Sequence, residues 1–459
     1  MLKSRIDEIL AAARLDLSEK VYPEITGNDP ILSTGFPVGE VAATALGLTG
    51  SMAEDIWFRR KGEHQKIKVN VRHAAATLNG IGIQKLPDYK LTVPMSSTYT
   101  VGFYKTADNR WIHLVGGLPH LAQGLVDLLK CDDNRKSIKL AVNEWNGADL
   151  EEKIAERELC GVLARSSDEW ANHPQGKALK NLPAVTLSKI ADSEPIPLTG
   201  GKNPLEGIRI LDLTRILAGP NCSRTLASYG AEVMRIASPN LPSMEPLVIE
   251  TSHGKKSAFI DLDTSEGVKT LTDMIKDADV FVNGYRTGAL EARGFGPNEL
   301  AQIRPGIIYV NINCYGSVGP WVSRKGWEQL AQTTTGIAYE QRTKSGKPQL
   351  IPAAPNDYTT GYLAAYGTLL AIVNRMEQGG SWHVKASLCQ TGMWLTRLGA
   401  TMDMTKATGL SNLENCMTQV KTEWGPLFHL KPAVKLSKTS PKWTKPPVPL
   451  GFHKPKWEN

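Results

Sequence analysis

Between residues 208 and 312, short apolar runs recur with helix-type segments between them, and few folds accommodate that alternation. The runs are Ile208-Arg209-Ile210-Leu211-Asp212-Leu213, Glu232 to Ile236, Ser257 to Leu262, Asp279 to Asn283 and Gly306 to Ile312. Runs that are continuous rather than polar–apolar alternating fit strands buried on both faces, which predicts a parallel sheet with helices packed on each side. A helix is expected from Ser265 to about Asp277, capped by Thr264 or Ser265 with Glu266 in its first turn, and another from about Asn298 to Arg304. In such sheets ligands bind beyond the carboxyl ends of the strands, so the loops of interest are 214–221, 237–256, 283–288 and 313–328.

A chain of 459 residues exceeds the size at which one core keeps growing, so more than one domain is expected. The net charge of +7 is mild and suits a small polyanionic ligand. Basic residues are scattered rather than interleaved with aromatics in a block, which gives no support to a nucleic-acid partner. Cys131, Cys160, Cys222, Cys314, Cys389 and Cys416 are far apart, with no Cys-x-x-Cys pair. That spacing argues against a zinc site or a disulfide framework and fits a reducing compartment. No stretch reads as a membrane span or as a targeting signal, so a cytoplasmic protein is expected.

Several loop residues are candidates for chemistry. Leu217-Ala218-Gly219-Pro220-Asn221 follows a strand and opens a helix that Asn221 or Ser223 can cap. It lacks the Gly-x-Gly-x-x-Gly fingerprint, so a dinucleotide site is unsupported. His253-Gly254-Lys255-Lys256-Ser257 reads as a basic turn, and Asn283-Gly284-Tyr285-Arg286-Thr287-Gly288 leaves the end of a strand. On residue type alone, a solvated turn suits the lysines, while Arg286 fits a surface turn and a phosphate contact equally well. Asp357 lies in Asn356-Asp357-Tyr358-Thr359-Thr360-Gly361, ahead of an apolar run from Tyr362 to Val373 that reads as a buried helix. An Asp there is more often a cap than a nucleophile, yet Asn356 and Thr359 are available to cap and leave Asp357 free.

Taken together, the run from Ile208 to Pro220 and the spaced Asp357 motif resemble the family III coenzyme A transferases, which include formyl-CoA transferase, carnitine CoA-transferase and the 2-methylacyl-CoA racemases. The resemblance implies an α/β fold, with a parallel-sheet Rossmann-like CoA-binding domain, a smaller α/β domain and the family's interlocking architecture. It implies acyl-CoA and carboxylic acid substrates, coenzyme A as substrate rather than as a resident cofactor, no metal, no membrane, and a homodimer. By the same resemblance Asp357 is the nucleophile and Leu217 and Ala218 lie against CoA. Lys255 or Lys256, with Asn283, Tyr285, Arg286 and Lys325, then surround its nucleotide. Gly361 and the Gly379-Gly380 turn are candidates for close backbone approach to the acyl group.

Some positions depart from the family pattern. Leu217 stands where some transferases carry a glutamine, and Ala292 stands where an arginine is usual, with Arg293 one place later. The racemases carry Gly-His-Asp where this chain has Gly326-Trp327-Glu328. An indole N–H only donates, so Trp327 cannot exchange a proton at an α-carbon. CoA transfer is therefore the leading expectation. A racemase with Glu328 as a base is the alternative, and a catalytically silent CoA-binding subunit the third reading. Tyr315, Trp327 and Tyr358 suggest an aromatic-lined pocket for a medium or branched acyl chain.

The chain also echoes itself. Gly62 to Val71 parallels Gly379 to Leu388 at an offset of 379 − 62 = 317, and under that offset Glu40 falls opposite Asp357. Residues 1–195 then read as a partial, structural copy of the family's second half and 196–204 as a linker. Residues 205–430 read as the transferase domain and 431–459 as an extended proline- and lysine-rich tail. A partial copy fused to a whole central domain suits an enzyme of secondary metabolism.

Overall fold

The computed structural model describes residues 2–15, 22–90 and 99–458. Its centre is a seven-stranded sheet. The strands are β1 (Val185–Ala191), β2 (Arg209–Leu213), β3 (Glu232–Ala237), β4 (Lys255–Phe259), β5 (Val280–Asn283), β6 (Ile308–Asn313) and β7 (Ser381–Ser387), in the spatial order β1-β7-β6-β5-β2-β3-β4. From β7 to β4 every pairing is parallel, as the apolar runs predict. The edge strand β1 runs antiparallel to β7 and comes from before the linker, so the N-terminal segment completes the sheet.

Five helices position the site: α1 (Val38–Lys61), α2 (Ala218–Ser228), α3 (Glu328–Thr334), α4 (Pro355–Gln378) and α5 (Leu388–Leu398). On one face of the sheet α1, α2, α4 and α5 share a continuous apolar core. The other face is sealed by a second cluster that includes Leu211, Phe281, Tyr309, Met274 and Leu300. The internal echo is visible in the backbone. Helices α1 and α4 are both 24 residues long and are related by 355 − 38 = 317 and 378 − 61 = 317. The helices that follow, Val71–Thr77 and α5, begin at positions related by 388 − 71 = 317, each capped by the side chain before it, Asn70 or Ser387.

A smaller α/β unit precedes the sheet. Its strands Val101–Lys105, Trp111–Val115 and Gly161–Leu163 form an antiparallel sheet in that order, and helices Pro119–Leu129, Arg135–Asn143 and Gly147–Glu156 accompany it. The proline-rich tail is an extended strap. Val434–Leu436 pairs antiparallel with Ile67–Asn70. Farther on, Trp443 Nε1 donates to Arg224 O (2.9 Å) and Trp457 Nε1 to Met274 O (3.0 Å). Such tryptophans anchor a strap that has too few backbone hydrogen bonds of its own. No helix among the described residues is long and apolar enough to cross a membrane.

Candidate active site

Asp357 is the third residue of α4, inside its first turn rather than before it. The opening amides of a helix lack intrahelical acceptors, and here another helix supplies them. Glu328, first residue of α3, accepts from Asn356 N at 3.3 Å and from Asp357 N at 2.5 Å. A carboxylate suits a helix N-terminus because the unpaired N–H groups are positive there. The expected capping by Asn356 or Thr359 is therefore replaced, and both amide atoms of the buried Asn356 side chain lack partners. Burial raises the Glu328 carboxyl to about 7. Asp357 is pushed well above the ordinary carboxylate range, first by burial and then by the neighbouring Glu328. With both oxygens accepting backbone N–H groups, Glu328 is a structural acceptor and not the free base that the racemase alternative needs.

A comparable contact lies at the start of α1. Asp29 Oδ2 accepts from Glu40 N at 2.8 Å, as Glu328 does from Asp357 N. The carboxylate of Glu40, however, is held by Arg5 at 2.9 Å. That of Asp357 has no hydrogen bond or ion pair among the described residues.

Asp357 faces a cavity of about 410 Å³ beyond the carboxyl ends of β2, β5 and β6. The sequence-predicted residues Leu217, Ala218, Tyr285, Arg286 and Lys325 line it, and so do Tyr315 and Trp327. Asp357 is the sole acid among the lining residues, against Arg215, Arg286, Arg324 and Lys325. Helix α2 opens at this cavity without a side-chain cap, and the uncapped start of a helix suits an anionic group. Gly361 lets α4 meet α2, because a Cβ there would lie 2.6 Å from Ala218 O. The N-termini of both helices thus converge on one spot.

Other expected contacts lie elsewhere. Lys255 is a strand residue, not part of a turn. Its side chain is wholly buried, with Nζ 2.8 Å from Asp212 Oδ2 and 2.7 Å from Pro220 O. The pair props the 214–220 loop from below and leaves no ammonium for phosphate. Lys256 points to the far end of the sheet, where it pairs with Glu458 (2.7 Å). Asn283 is buried: its Nδ2 donates to Tyr309 Oη (3.0 Å) and its Oδ1 accepts from Tyr285 N (2.8 Å). It shapes the loop that carries Tyr285 and Arg286 rather than touching the cavity. Tyr358 turns away, donating to Glu250 Oε1 (3.2 Å), so the aromatic lining is Tyr315 and Trp327. A Cβ on Gly379 would meet Ser193 O, and one on Gly380 would meet Lys189, so that turn serves the linker and β1, not the acyl group. Asn221 does not cap α2; its Nδ2 reaches Tyr358 O (2.9 Å), and Ser223 Oγ donates to Asp212 (2.5 Å).

Sequence reasoning missed what the N-terminal segment contributes. Leu118, His120, Leu121 and Cys160 line the cavity. Glu158 reaches its rim, with Oε1 2.7 Å from Arg286 Nη1 and Oε2 3.6 Å from Lys325 Nζ. Arg324 is likewise held by Glu152. Ile216, also in the lining, has a φ of 67°, and a β-branched residue in the left-handed region is strained by about 1–3 kcal/mol. Nothing in its sequence context signals that strain. Nothing in the sequence context of Glu158 signals its place at this rim.

Comparison with known proteins adds a family context. Residues 205–426 match the family model for CoA-transferase family III. The acetyl-coenzyme A transferase nodX of Hypoxylon pulicicidum is 32% identical over 341 residues, covering 69% of this chain and 57% of that protein. The succinyl-CoA:glutarate CoA-transferase of Homo sapiens is 32% identical over 198 residues, covering 40% of this chain and 45% of that protein. The chain thus spans less than two thirds of the length of these relatives. The crystal structure of Rv3272 from Mycobacterium tuberculosis shares 30% identity, covering 43% of this chain and 58% of that one with a TM-score of 0.41.

Proposed function

The chain belongs to CoA-transferase family III, and from that premise we propose that it moves coenzyme A between an acyl-CoA thioester and a free carboxylic acid, with Asp357 as the nucleophile. One observation carries this reading: a carboxylate without a partner faces a cavity whose other charged residues are all cationic. Arg286 and Lys325 at the rim suit the phosphates of CoA, and the depth of the cavity brings the thioester to Asp357.

The ionised Asp357 attacks the thioester carbonyl, and the tetrahedral adduct expels CoA thiolate to leave an acyl–aspartyl anhydride. The thiolate then attacks the aspartyl carbonyl, the acid departs as its carboxylate, and an aspartyl-CoA thioester remains. An incoming carboxylate reverses these two steps and leaves as the new acyl-CoA. One difficult exchange becomes several easier ones. The uncapped amides of Ala218 and Gly219 are the donors best placed for the oxyanions, because α2 and α4 abut at their N-termini.

Incubating the protein with an acyl-CoA and hydroxylamine tests the assignment. Mass spectrometry of the digest is expected to find a hydroxamate on the peptide carrying Asp357. A peptide without it, from protein shown to turn over in the same buffer, removes Asp357 from the role.

A further inference from the structure

The charge in the cavity is unevenly placed. Arg286 and Lys325 extend to Glu158, and Arg324 to Glu152, two acids whose side chains are 58% and 61% exposed. Arg215 bonds outward to Pro242 O. Each of these cations is thus already held by a group outside the cavity lining. The wall around Asp357 differs. Cys314 Sγ lies 3.8 Å from Trp327 O, and Trp327 adjoins Glu328, which holds the Asp357 amide. Cys314 also packs with Cys160 and Cys389, and a Cβ on Gly326 would meet Cys314 and Tyr315. Leu388 closes the same end. Of the polar side chains in the lining, Asn313 is engaged through Oδ1, which accepts from Gly316 N (2.6 Å).

Building on the acyl-CoA reading above, we propose that the acid handled at this site carries no charge beyond its reacting carboxyl, that is, a monocarboxylic acid with an apolar chain. Cys160, Cys314, Tyr315, Trp327 and Leu388 supply mainly apolar surface, with two thiols, a phenol and an indole N–H but no cation. A second carboxylate on the acyl group would enter a site where Asp357 is already buried and where the lining cations are all held by other groups. A charge left unpaired in such a place is disfavoured by on the order of 100-fold or more. A neutral branched or linear chain instead gains by covering Leu388 and the indole of Trp327.

Matched thioesters test this. Binding of CoA, 2-methylpropanoyl-CoA and succinyl-CoA is measured by calorimetry on the full chain, and transfer from each thioester to hexanoate and to glutarate is followed by mass spectrometry. The expected result is binding of CoA and of 2-methylpropanoyl-CoA, with kcat/KM for succinyl-CoA and for glutarate lower by about 100-fold. Transfer with succinyl-CoA or glutarate within tenfold of the apolar partners overturns the inference and leaves the transferase reading standing. Failure to bind CoA and 2-methylpropanoyl-CoA overturns both.

Discussion

Replacing Asp357 by asparagine is expected to separate stability from activity, because the same carboxylate is useful to one and harmful to the other. In favour of the charge is its place in the first turn of α4, worth about 0.3–1 kcal/mol by the helix dipole. Against it stand its burial, its lack of a partner and the Glu328 carboxylate holding its own amide. An uncompensated buried ion costs about several kcal/mol, so the second term wins. Asp357→Asn is expected to gain roughly 1–3 kcal/mol at pH 8.

The sign of the pH dependence follows from the direction of the shift. The folded protein binds the Asp357 proton more tightly than the unfolded chain does, where the group has its ordinary value of 3.8. Wild-type stability from this group is intact below that value and is lost as pH rises through the folded value. The advantage of the variant is therefore near zero at pH 4 and grows toward pH 8. Thermal unfolding of both proteins at the two pH values measures it, and transfer in the variant is expected to fall on the order of a thousandfold or more. A variant no more stable than wild type at pH 8 refutes the claim of an unpaired buried charge. Near-normal turnover in fresh protein, with deamidation excluded, refutes the nucleophile.

Glu158→Gln is expected to tighten CoA binding about two- to fivefold, since it frees Arg286 and Lys325 from a half-exposed ion pair worth about 0.2–1 kcal/mol; titration calorimetry at two salt concentrations reads the change. Lys255→Met is expected to destabilise the fold by about 3–5 kcal/mol by stranding the buried Asp212 charge, while CoA affinity of the folded fraction, measured by calorimetry, stays near wild type. Trp327→His is expected to give at most slow deuterium uptake from heavy water into a 2-methylacyl-CoA, read by mass spectrometry, and wild type none; rapid uptake by wild type favours racemisation.

The parallel sheet was legible because its strands are buried on both faces, and burial on both faces writes itself into sequence as predominantly apolar runs such as Ile208 to Leu213 and Gly306 to Ile312. The correspondence of α1 and α4 at an offset of 317 residues was legible because helix, turn and strand are set largely by local chemistry. Asp357 stood out by its position ahead of a long apolar helix. What a charged side chain does was not legible, because a lysine in a basic turn and a lysine neutralising a buried aspartate look alike until the strands are paired. Lys255 reads along the chain as part of a solvated basic turn, or by the family resemblance as a phosphate ligand, and is a buried counter-ion in space. Glu328 caps a helix 28 residues away, and Glu158 meets Arg286 across 128 positions. Such pairings depend on which elements the fold brings side by side, so only the tertiary structure decided them.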